Sequence, residues 1–99
     1  MEGITLKQIA KWCGGTVEPE FEQVQVKGFT KDSRQLAPGN MYVAIQGMRV
    51  DGHDFVKQVL ENGAAAVLVE KRQEPGIPAV LVKDTEAALG SIASGYRAT

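Results

Sequence analysis

Two polar clusters in this 99-residue chain carry side chains able to hold a ligand. The first is Lys31-Asp32-Ser33-Arg34, set between a predicted strand and the turn sequence Pro38-Gly39. It offers cations, a hydroxyl and a carboxylate side by side. Two readings stay open on the residues alone. The cluster contacts a ligand, or it is a solvated turn in which Asp32 caps nearby N–H groups and the cations face water. The second cluster is Gly47-Met48-Arg49-Val50-Asp51-Gly52-His53-Asp54-Phe55. It joins a predicted buried strand to a predicted helix, and a glycine-containing loop entering a helix N-terminus can present N–H groups to a phosphate. The same segment also reads as a plain crossover loop with Asp51 or Asp54 as N-cap. Those carboxylates disfavour an anion beside them, so a phosphate would meet loop N–H groups or Arg49.

Catalytic machinery is easier to exclude than to find. No G-x-x-x-x-G-K-[ST] sequence is present, so P-loop hydrolysis of a nucleoside triphosphate is not encoded. His53 is the single histidine and Cys13 the single cysteine, too few for a histidine pair or a cysteine cage around zinc. Ser33 and His53 lack the G-x-S-x-G elbow of a hydrolase nucleophile. Cys13 falls on the apolar side of the first predicted helix and reads as buried packing.

The elements that must position these clusters follow from periodicity. Thr5 caps a helix with apolar positions Leu6, Ile9, Ala10 and Cys13, and Gly14-Gly15 stops it. Thr16-Val17 follows, then an acidic connector around Pro19 and Glu20. Val24-Gln25-Val26 alternates as a strand. Met41 to Ile45 is a nearly continuous apolar run suited to a buried strand. A second helix is predicted from about Asp51 or His53 to Asn62, with Phe55, Val56, Val59 and Leu60 inward and Gly63 as its C-cap. Ala64 to Val69 reads as a strand, and the helix between it and Met41–Ile45 predicts a right-handed crossover with the two strands parallel. A polar loop over 71–78 leads to a strand at Ala79–Val82. Asp84 then caps a third helix carrying Ala88, Leu89, Ile92, Ala93 and Tyr96. The expected fold is α/β: one compact domain over residues 1–99, with a mixed β-sheet and about three helices.

The charge balance narrows the partners. Eleven basic against twelve acidic residues, a formal net charge of −1, argue against nucleic acid, whose binding rests on many phosphate-neutralising cations. A small anionic ligand remains compatible. No apolar run approaches a membrane span and no signal-peptide pattern opens the chain, so the cytoplasm is the expected compartment and no membrane partner is expected. The third helix runs almost to Thr99, which reads as a domain cut from a longer chain.

The ordered set Asp32-Ser33-Arg34, Pro38-Gly39, Met41–Ile45, Gly47, Asp51-Gly52-His53-Asp54-Phe55 and Gly63-Ala64-Ala65 resembles the N-terminal domain of the Mur ligases. The resemblance runs from Thr5 to Arg97. Two branches share the pattern: enzymes adding the third residue of the peptidoglycan stem peptide, and enzymes adding D-alanyl-D-alanine. The opening TLKQIAKWCGG and the ending VKDTEAALGSIASGYR are more similar to the second branch.

The resemblance implies a three-domain ATP-dependent ligase of peptidoglycan biosynthesis. This domain would hold the UDP end of UDP-N-acetylmuramoyl-tripeptide, with no cofactor of its own and no catalytic residue. Further domains would bind ATP, Mg2+ and D-alanyl-D-alanine, and the substrate carboxylate would be activated there as an acyl-phosphate. By position, Lys31 and Ser33 would contact the uridine, with Asp32 and Arg34 completing the loop. Gly47, Met48, Arg49 and Val50 would approach the nucleotide and its diphosphate. Asp51, Gly52 and His53 match the family's loop-to-helix signature, where a structural role is equally open. A nucleotide-sugar sensor without catalytic partner, or a protein-interaction module, are the competing function classes.

Overall fold

The apolar run at Met41–Val43 forces the architecture, because a strand apolar at every position needs cover on both faces. The computed structural model describes residues 3–45, 55–71, 73–74 and 76–97. It places that run as β5 (Asn40–Val43), flanked by β4 (Gly28–Thr30) and β6 (Ala66–Val69), both parallel to it. β7 (Ala79–Leu81) adds in parallel to β6, and β2 (Thr16–Val17) closes that edge antiparallel. The mixed sheet therefore runs β2-β7-β6-β5-β4, and β1 (Ile4–Thr5) pairs with β3 (Gln25–Val26) in a separate antiparallel ribbon.

Side-chain alternation sorts each central strand onto two cores. Met41, Val43, Ala66, Leu68, Val80 and Val82 face the side covered by α1 (Leu6–Cys13) and α3 (Thr85–Arg97). Tyr42, Ala44, Val67 and Val69 face the opposite side, where α2 (Val56–Glu61) contributes Val56 and Val59. The period of two along a strand makes this division automatic once both faces are covered.

The helix caps follow from their residues. Thr5 Oγ1 accepts the Gln8 N–H at 3.3 Å, and Gly14 ends α1 at φ 68°, a left-handed conformation that costs glycine little. Cys13 is half-buried against the first core, and desolvation pushes its thiol pKa up, as an inert packing thiol requires. Asp84 Oδ1 accepts the Ala87 N–H at 3.1 Å at the start of α3.

Several expectations need correction. β1 and β4 were not legible, being short and, for β4, opened by Gly28. The described part of α2 starts at Val56, with Phe55 at the N-cap position and no side-chain cap bond; the expected caps Asp51 and Asp54 lie outside the described residues. Its C-cap is Asn62 rather than Gly63, because the Asn62 N–H already bonds the Gln58 and Val59 carbonyls at 3.0 and 3.1 Å. Gly63 follows at φ 104° and turns the chain into β6. Ala93 is exposed, since the face of α3 that meets the sheet is carried by Ala88 and Ile92. The Tyr96 side chain lies outside the described residues.

Two glycines of α3 give a matched test of its packing on α1. A Cβ on Gly95 would lie 2.6 Å from both Cδ1 and Cδ2 of Trp12, whereas one on Gly90 would meet nothing within 4 Å. Alanine gains about 1 kcal/mol over glycine in a helix interior, but displacing the indole costs about 1–3 kcal/mol. Gly90→Ala is expected to raise the urea midpoint and Gly95→Ala to lower it. A rise in both would show that α1 and α3 do not pack through this contact.

Candidate functional site

In a parallel sheet the loops leaving the carboxyl ends of the strands gather on one edge, where ligands of open α/β folds bind. Here the 31–34 turn leaves β4 and Ile45 follows β5 on that edge. A cleft of about 570 Å3 lies there, lined by Lys31, Asp32, Ser33, Arg34, Tyr42, Ile45, Phe55 and Gln58. The structure thus brings all four residues of the first cluster to one cleft. Gly47, Met48, Arg49, Val50, Asp51, Gly52 and His53 lie outside the described residues, but the residues flanking that segment, Ile45 and Phe55, both line the cleft. Tyr42, Ile45 and Gln58 line it too, and no sequence motif marks them as site residues. An apolar run and a helix surface give no sign in one dimension that they end beside a polar turn.

The first cluster is held by its own backbone chemistry. Thr30 Oγ1 accepts the Asp32 N–H at 3.2 Å, and Asp32 Oδ1 accepts the Arg34 N–H at 2.8 Å, capping a 3-10 turn over Ser33–Gln35. The Arg34 guanidinium returns to the same carboxylate, Nε to Oδ1 at 3.3 Å, although its side chain is 88% exposed. The capping expectation for Asp32 therefore holds, and Arg34 is turned partly toward its own loop. Among the described residues, neither the Lys31 ammonium nor the Ser33 hydroxyl has a hydrogen-bond partner. The hydrogen bonds that hold the turn use neither of these donors.

Further along the same edge the chemistry reverses. A second hollow of about 330 Å3 is lined by Ile45, Glu70, Lys83, Asp84, Thr85 and Glu86. Glu70 Oε2 accepts from the Thr85 N–H at 2.7 Å and from Thr85 Oγ1 at 3.0 Å. The N-terminus of α3 is thereby filled by the chain's own carboxylates, Glu70 and Asp84, and repels an added anion. A separate groove of about 580 Å3, between α2 and Ile77, gathers none of the predicted site residues.

Over residues 25–97 the chain matches the family model described as "Mur ligase family, catalytic domain". The chain belongs to the Mur ligase family. It is 36% identical over 97 residues to the UDP-N-acetylmuramoyl-tripeptide--D-alanyl-D-alanine ligase of Escherichia coli, covering 98% of this chain and 21% of that one. It is 34% identical over 80 residues to the UDP-N-acetylmuramoyl-L-alanyl-D-glutamate--2,6-diaminopimelate ligase of Bacillus velezensis, covering 81% of this chain and 16% of that one. The crystal structure of MurF from Acinetobacter baumannii superposes with a TM-score of 0.85 at 31% identity, over 99% of this chain and 22% of that one. The fold is that of the MurF N-terminal domain. The chain spans about a fifth of the length of these Mur ligases.

The Asp32 contacts set a pH dependence. The Arg34 backbone N–H, and then its guanidinium, stabilise the carboxylate and hold its pKa below the ordinary aspartate value of 3.8. A lowered pKa means the contribution is complete above the ordinary value and is lost as pH falls through the lowered one. Carboxyl-detected NMR should therefore find Asp32 titrating below 3.8, with the Ser33–Gln35 amides moving in step. A normal midpoint would show that the cap is not formed in solution.

Proposed function

We propose that this domain holds the uridine diphosphate end of UDP-N-acetylmuramoyl-tripeptide for a ligase that adds D-alanyl-D-alanine, and that the 99-residue chain is not catalytic alone. The observation that carries the reading is the convergence of Lys31, Asp32, Ser33 and Arg34 on one carboxyl-edge cleft in a chain of the Mur ligase family. Lys31 and Ser33, without a hydrogen-bond partner among the described residues, suit a ligand rich in acceptors. The carboxylates around Glu70 disfavour a diphosphate at the other end of the edge, which leaves the 31–34 end for it. Gly47, Met48, Arg49, Val50, Asp51, Gly52 and His53 complete the proposed site, with loop N–H groups and Arg49 toward the diphosphate.

The D-alanyl-D-alanine branch is favoured by extent of match. Relatives of that name align over 93% and 98% of this chain, against up to 92% for diaminopimelate-adding relatives, and the MurF structure superposes over 99% of it. The third-residue-adding branch is the second reading, supported by matches over 81% and 92% of the chain. ATP, Mg2+ and D-alanyl-D-alanine are assigned to other parts of the full-length protein. The sequence here has no P-loop, and no three His, Cys, Asp or Glu side chains cluster for a metal among the described residues. A cytoplasmic location fits this role, and no helix among the described residues is long and apolar enough to cross a membrane.

UDP titrated into the 15N-labelled chain should shift residues 31–34 and 47–53 most, with a dissociation constant on the order of 0.1–10 mM because most substrate contacts lie elsewhere. Changes confined to α3 would overturn the assignment. In the full-length enzyme, Ser33→Ala should cost UDP binding about 0.5–1.5 kcal/mol with little salt dependence. Arg49→Ala should cost about 1.5–3 kcal/mol at low salt and less as salt screens the contact. Parental affinity of the Arg49 variant at low salt would move the phosphate contact to backbone N–H groups.

A further inference from the structure

The cleft beside the 31–34 turn contains a polar side chain that no sequence motif accounts for. Gln58 is exposed on α2, lines the same cleft as Ser33, and has no hydrogen-bond partner among the described residues. An unpartnered glutamine on a helix surface is ordinary by itself; its surroundings are not. The half-buried Phe55 offers an aromatic face to the cleft, Tyr42 at 2% exposure borders it from within the core, and Ser33 reaches it from a different element. Aromatic faces bordered by neutral donors and acceptors suit a flat heterocycle. A phosphate would instead call for cations and converging N–H groups, as Lys31 offers at the turn.

The carboxamide has a further match. It carries an N–H donor and a C=O acceptor side by side. The imide edge of uracil presents the complement, with N3–H donating and O4 accepting. We propose that Gln58 is a base-specificity residue: its carboxamide pairs with the uracil imide edge while the ring packs against the half-buried Phe55. This rests on the uridine diphosphate reading above and adds to it where the base sits and what reads it. Ser33 and Gln58 then approach the nucleoside from two elements, and Lys31 is left for the charged end.

The test compares the parent chain with Gln58→Leu, using UDP, N3-methyl-UDP and inorganic pyrophosphate as probes in NMR titrations. In the parent, N3-methylation should weaken binding roughly five- to tenfold, the worth of one neutral hydrogen bond. Gln58→Leu should weaken UDP by a similar factor, and in that variant methylation should cost nothing more, because the two changes remove the same contact. Pyrophosphate binding should be unchanged, which a general loosening of the cleft would not give. Amide spectra check that the variant is folded, with Gln58→Ala as the replacement if it is not. Parental UDP affinity in the variant, or an undiminished methylation penalty, overturns the Gln58 assignment and leaves the uridine diphosphate reading standing. A parent chain that binds no UDP removes both.

Discussion

The structure depends on covering both faces of a parallel sheet. β5 and β6 are buried along almost their whole length, with Met41, Val43, Ala66, Val67, Leu68 and Val69 excluded from water. Parallel strands need crossover connections, and those connections supply the cover. α2 lies between β5 and β6 in sequence and covers one face, while α1 and α3 cover the other. Such a sheet leaves little room for polar side chains within it. Among the described residues, the 31–34 cluster lies at the sheet's carboxyl edge.

The two ends are treated differently. At the amino end the turns are tied to each other through backbone: the Gly39 N–H bonds the Gly63 carbonyl at 3.0 Å, and the Ala65 N–H bonds the Asn40 carbonyl at 2.9 Å. A Cβ on Gly63 would stand 3.5 Å from Pro38, so the β4–β5 turn and the α2–β6 turn pack closely. At the carboxyl end, among the described residues, side chains tie the loops, Thr30–Asp32–Arg34 within one turn and Glu70–Thr85 between the segments after β6 and β7. These bonds fix the loops and leave two hollows along the edge.

That open space is electrically divided. Glu70 and Asp84 occupy the N-terminus of α3, while Lys31 stands at the opposite end with its charge unpaired among the described residues. Asp32 neutralises part of the first cluster by drawing back Arg34, so the turn is less cationic than its sequence suggests.

Local sequence determined the elements whose signals are local. Thr5, Gly14 and Asp84 mark helix ends through single side chains or single φ angles, and the α/β class follows from apolar runs alternating with helical periodicity. The ordered motifs also carried the family. What the chain in one dimension could not show was pairing and convergence. β1 and β4 exist because β3 and β5 lie beside them, and two or three residues have too little pattern to announce a strand alone. Tyr42 and Gln58 reach the cleft because β5 and α2 meet at one edge, far from the 31–34 turn in sequence. Caps and periodicity are properties of neighbours along the chain; a cleft is a property of distant segments packed together, so only the tertiary structure decided it.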